Sequence, residues 1–156
     1  MTDTPDFQAL AHETIEMFPG ARNSRMRRER LTRLVDMLVR LRPTKTRRFH
    51  LAQWETQRRC GTVACALGYA MVNPWFNARG FHRVISETGN AIPKFRGARG
   101  WFAAEQFFCA SLGAAIALFD EDGYAPRQCG NPKAVAARIR AFLVALDDVR
   151  STKRAA

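Results

Sequence analysis

Apolar side chains recur along this chain in helical stretches separated by less regular ones. Phe7, Leu10, Ala11, Ile15 and Phe18 follow Thr4-Pro5, which reads as a cap with proline at the first helical position, and Pro19-Gly20 stops the run. Leu31, Leu34, Val35, Leu38 and Leu41 make one stripe of a second helix, with Ser24 as its expected cap and Pro43 as its end. Residues 44–59 carry only Phe49, Leu51 and Trp54 among basic and polar neighbours, which predicts an extended loop or a short strand. A third helix is expected over residues 62–72. Gly61, Ala64, Cys65 and Gly68 at i, i+3, i+4 and i+7 would give it a face almost free of side-chain bulk, and Asn73-Pro74 would close it.

Residues 75–100 are rich in Gly, Pro, Arg and aromatics and predict a long irregular loop, with short extended pieces at 82–85 and 91–95. Aromatics return at helical spacing over residues 101–111, a short helix is expected over 114–119, and Asp120-Glu121-Asp122-Gly123-Tyr124 reads as a turn. Asn131-Pro132 opens a last helix whose apolar face is Val135, Ile139, Phe142, Leu143, Leu146 and Val149. The expected fold is all-α, helix-dominated. It is a single domain of about five helices over residues 1–150, with the long loop between the third and fourth and a disordered tail at 151–156.

Composition narrows the class. With 47% hydrophobic residues and 11 Phe in 156 residues the chain can bury a full core, which excludes intrinsic disorder and a disulfide-stapled miniprotein. No apolar run reaches the ~18 residues of a membrane span, and the N-terminal residues lack the basic and apolar regions of a signal peptide. A cytoplasmic protein without a membrane partner is the expectation.

Charge changes the picture more. The net charge is +11, and it is concentrated: residues 22–59 hold thirteen Arg and Lys against Glu29, Asp36 and Glu55. Glu29 before Arg33 and Asp36 before Arg40 have the spacing of neutralising helix pairs. The remainder clusters at 22–28 and 42–48, two arms flanking the second helix. Arg22, Arg25, Arg27, Arg28, Arg42, Lys45, Arg47, Arg48, Arg58 and Arg59 are therefore the candidate contacts to DNA or RNA, on the expectation that both arms fold into one cationic patch. The same patch could meet an acidic protein, or be a solvated face. Phe81, His82, Arg83, Phe95, Arg96, Arg99 and Trp101 interleave aromatic and basic groups as single-strand binders do, although such aromatics are as often core.

Four cysteines form no C-x-x-C pair and have only His12, His50 and His82 for company, so neither a metal site nor any other cofactor is expected. Cys60, beside Arg58 and Arg59 at the expected start of the third helix, is the one candidate nucleophile of a hydrolase or transferase, with His50 or His82 as its base. An enzyme is the less favoured class, because nothing in the spacing holds either histidine near that thiol.

The string Cys60-Gly61-Thr62-Val63-Ala64-Cys65-Ala66-Leu67-Gly68, with Phe49, Leu51 and Trp54 before it and Phe107, Phe108, Leu118 and Phe119 behind, resembles a family of small uncharacterised bacterial and phage proteins. Members carry a Phe-x-Met/Leu-x-x-Trp lead-in, a Cys-Gly-Thr-x-x-Cys-x-x-Gly helix and a later Phe-Phe-Gly-Leu helix. The resemblance covers residues 30–146 and departs at Cys109, where the family pattern favours glycine. It implies architecture and a phage or mobile-element accessory origin, and no activity.

Overall fold

A computed structural model describes residues 4–58 and 61–156. The chain begins with two helices, α1 (Phe7–Met17) and α2 (Ala21–Arg40), and ends with α7 (Pro132–Ala155). Between them lie the strands β1 (Arg47–Phe49), β2 (Glu55–Arg58) and β3 (Gly61–Ala64), the short helices α3 (Ala66–Ala70) and α4 (Pro74–Asn77), and the strands β4 (Phe81–Ile85), β5 (Ala91–Phe95) and β6 (Ala98–Arg99). Two core helices follow, α5 (Trp101–Phe108) and α6 (Leu112–Phe119). The fold is helix-dominated but not all-α, because two three-stranded sheets occupy the middle of the chain.

The long helices form as their apolar stripes dictate. Leu31, Leu34, Val35 and Leu38 of α2 are buried, as are Val135, Ile139, Phe142, Leu143, Leu146 and Val149 of α7, and these two helices pack together with α1 lying against α7. Their caps differ from the expected ones. Asp6, not Thr4, caps α1 by accepting the Ala9 N–H at 3.0 Å, and α2 starts at Ala21 behind Gly20, whose φ of 92° suits only glycine. Residues 22–28 therefore belong to α2 instead of preceding it. At the other end α7 runs to Ala155, through the residues expected to form a disordered tail.

Where α1 meets α6, a buried hydroxyl pair does the joining: Thr14 Oγ1 accepts the Ser111 N–H at 3.0 Å and Ser111 Oγ accepts the Ala114 N–H at 3.1 Å, capping α6.

Residues 61–64 are a strand and not the first turn of a helix. β3 pairs in parallel with β1 (Arg47 opposite Thr62, Phe49 opposite Ala64) and antiparallel with β2 (Glu55 opposite Ala64, Arg58 opposite Gly61). The helix starts only after Cys65, whose Sγ accepts the Gly68 N–H at 3.4 Å. The small-residue spacing served a different contact: a Cβ on Gly68 would lie 1.6 Å from the Trp54 carbonyl oxygen.

The expected loop at 75–100 is instead an antiparallel sheet, β4-β5-β6, and its first two strands include the predicted extended pieces. Its buried side packs Phe81 and Phe95 against Phe107, at centroid distances of 4.8 and 5.2 Å, with Phe76 and Phe108 completing an aromatic cluster. These aromatics are core, not a stacking platform. No single described helix is long and apolar enough to cross a membrane.

Candidate nucleic-acid interface

Helical geometry sorts the arginines of α2. At 100° per residue, positions 22, 25, 29, 33, 36 and 40 fall on one side of the helix, opposite Leu31, Leu34 and Leu38. Arg22, Arg25, Arg33 and Arg40 are all exposed there, sharing the face with Glu29 and Asp36. The face is about 27 Å long, from 18 residue-to-residue steps of ~1.5 Å.

The expected neutralisation within α2 is not what the structure shows. Among the described residues, neither Arg33 nor Arg40 forms an ion pair with the acid one turn earlier. Glu29 is held instead by Arg79, Nη2 to Oε1 at 3.6 Å. Arg79 lies over the Trp75 indole at 3.6 Å, and Arg33 approaches the same ring at 5.4 Å. A basic and aromatic flank from α4 thus joins the α2 face at its middle.

Other arginines of the block turn inward. Arg27 is buried, at 3% exposure, one turn before Leu31 on the core stripe. Its Nε donates to the Cys109 carbonyl at 2.7 Å and its Nη2 to the Phe18 carbonyl at 2.9 Å. Those carbonyls belong to the residues that cap the C-terminal ends of α5 and α1, where a cation is favoured by unpaired acceptors and the helix dipole. Burial lowers the Arg27 pKa, yet a guanidinium stays charged. Arg28 is ion-paired with Asp147 of α7, and Arg30 donates to the Phe107 carbonyl while its guanidinium sits 4.2 Å from the Phe107 ring centroid. Arg27 therefore leaves the set of candidate contacts, while Arg28, paired with Asp147, keeps a side chain 47% exposed.

The second arm starts beyond Leu41, the residue that caps α2, and so stands about 25 Å along the helix from Arg25. The two arms do not merge into one compact patch. What lies between them is the exposed face carrying Arg33 and Arg40, whose spacing from Glu29 and Asp36 predicts neutralisation that the structure does not show. Arg42 turns its Nη1 back to the Val39 and Leu41 carbonyls at 3.0 and 3.3 Å, Lys45 and Arg48 are exposed, and Arg47 lies over the Tyr69 ring at 5.4 Å. Arg59 and the side chain of Arg58 lie outside the described residues.

Cys60 also lies outside the described residues, but the helix N-terminus proposed to activate it is absent, since residues 61–64 are β3. The thiol at a helix start is Cys65, which is buried, and burial pushes its pKa up to about 11, the reverse of an activated nucleophile. Cys109 and Cys129 are buried free thiols as well, each with its pKa raised by burial. His50 Nδ1 accepts the Ala52 N–H at 3.1 Å, and His82 sits on β4 with Nδ1 3.0 Å from the Gly80 carbonyl. Neither imidazole touches a described sulfur. Among the described residues no three His, Cys, Asp or Glu side chains stand close enough to hold a metal ion.

Cys109 has a separate peculiarity. Its φ of 49° and ψ of 44° are left-handed, the conformation that glycine adopts freely at a helix C-terminus. No protein-family model, no curated protein and no solved structure matches this chain.

Proposed function

We propose that this chain is a non-enzymatic nucleic-acid-binding protein whose contact surface is the outward face of α2. One observation carries the reading: Arg22, Arg25, Arg33 and Arg40 stand exposed in a row while the carboxylate nearest the middle of that row is drawn aside by Arg79. A row of exposed guanidiniums can neutralise backbone phosphates and needs no base contact to bind. Arg79 and Trp75 beside it add a cation and an indole edge of the kind that phosphates and bases both meet.

Titration of the chain with a labelled duplex at several salt concentrations tests the proposal. Four phosphate contacts give a log–log slope of about −3.6, at about −0.9 per contact. The double variant Arg33→Gln/Arg40→Gln should weaken binding and bring the slope to about −1.8. Absence of binding at low salt, or an unchanged slope in the variant, overturns the reading. Duplex binding that ignores salt overturns the row of phosphate contacts as well.

A further inference from the structure

A cleft of about 320 Å³ lies between the two sheets. Asn73 lines the hollow beside Arg33 and Arg40, and the next residue back, Val72, lines the cleft. The cleft's other walls include Arg47 of β1, Glu55 of β2, Tyr69 of α3 and Arg83 of β4. Its volume is at the lower end of small-molecule sites, ~300–1,000 Å³.

The charges in it are arranged unequally. Glu55 is enclosed, its side chain 6% exposed, and Arg83 Nε stands 3.4 Å from its Oε1, while the Arg83 side chain is 43% exposed. Arg83 is the ion-pair partner that the described residues give Glu55. Two guanidiniums at the opening against one inner carboxylate suit a ligand that is anionic at one end and offers hydrogen-bond donors at the other, because an ionised carboxylate can only accept.

We infer that the cleft takes an unpaired guanine nucleotide, with its phosphate toward Arg47 and Arg83 and the donor edge of its base toward Glu55. The inference rests on the nucleic-acid reading of α2. Guanine alone among the four RNA bases presents two adjacent donors, N1–H and the N2 amino group, on its Watson–Crick edge. Adenine and cytosine put a ring-nitrogen acceptor beside their amino group, and uracil flanks its single N–H with two carbonyls, so each would turn an acceptor toward the carboxylate. Val72, 37% exposed, supplies an apolar wall at the cleft.

Calorimetric titration of the full chain with GMP, AMP, CMP, UMP, inorganic phosphate and glutamate tests this. GMP should bind tightest, by about tenfold over the other nucleotides, which is the discrimination expected of a good bidentate contact. Glu55→Gln should reduce that preference to about twofold or less, since an amide replaces one acceptor with a donor. Val72→Trp, changed at an exposed position and so independent of any folding defect in Glu55→Gln, should fill the cleft and weaken GMP binding. Equal affinity for the four nucleotides, phosphate binding as tightly as GMP, or glutamate binding more tightly than GMP overturns the inference. No nucleotide binding alongside intact duplex binding overturns the cleft assignment alone. Loss of both overturns the nucleic-acid reading with it.

Discussion

Gly68 passes directly beneath Trp54: a Cβ added to Gly68 would meet the Trp54 carbonyl oxygen at 1.6 Å. The obstacle is main chain rather than the tip of a flexible side chain, so it cannot step aside. The same turn is fixed from the other side by the Cys65 N–H, which donates to the Gln53 carbonyl at 2.8 Å. Gly68→Ala should therefore destabilise the protein by about 3 kcal/mol or more, at or beyond the upper end for overpacking. Urea unfolding of the variant measures it, and a loss below about 1 kcal/mol would mean that α3 and the Trp54 turn are not this close.

Arg27 should behave unlike its neighbours on α2. Arg27→Met keeps most of the side-chain volume but leaves the buried Cys109 carbonyl short of a donor, at about 1–3 kcal/mol, and the part-buried Phe18 carbonyl short of one at about 1 kcal/mol. The expected result is a stability loss of about 2–4 kcal/mol with the salt dependence of duplex binding unchanged. Arg33→Gln should give the opposite pattern, with little change in unfolding and a shallower salt slope. A shallower slope for Arg27→Met in a folded protein would put that side chain back on the binding surface.

The Cys65 thiol sets a pH dependence. Its folded-state pKa of about 11 stands above the ordinary value of 9.0, so the unfolded chain loses the proton first as pH rises. The contribution is full below pH 9 and is lost progressively between pH 9 and 11. Unfolding free energy should fall across that window, and fall less in Cys65→Ala. Iodoacetamide should label Cys65, Cys109 and Cys129 slowly in the native state at neutral pH, and rapid labelling of Cys65 would contradict its burial.

At Cys109 the left-handed backbone separates two substitutions. Cys109→Gly relieves the conformation while losing a small buried side chain, and the two effects oppose each other, leaving a change of about 1 kcal/mol or less. Cys109→Val places a β-branched residue at φ 49° and should cost about 2 kcal/mol or more. Thermal or denaturant unfolding of the pair reads the difference directly.

Much of this was legible in the chain, and the exceptions have physical causes. The stripes of α2 and α7 were plain because five or six apolar side chains repeat at helical spacing over long stretches. The strand at 61–64 was not, since a four-residue run of Gly, Thr, Val and Ala fits a helix or a strand equally well and only its pairing with β1 and β2 decides. β4 and β5 were legible as short extended pieces at 82–85 and 91–95, but Pro93 and the exposed arginines masked their pairing into one sheet with β6. On α2 a signal was present and unused: residue 27 lies four before Leu31 and seven before Leu34, on the core side, while 33 and 40 lie seven apart on the outer one. Net charge over residues 22–59 does not distinguish the two sides of the helix.

Arg27 also makes arginine and lysine unequal within a single helix. Its two acceptors belong to different helices, and a planar fork with several fixed N–H vectors can serve both at once, which a lone ammonium on a freely turning stem does poorly. Recoding α2 with lysine throughout would keep the outer electrostatics and loosen the clamp between the ends of α1 and α5. Position 27 is thus where two chains of equal formal charge would part company in stability.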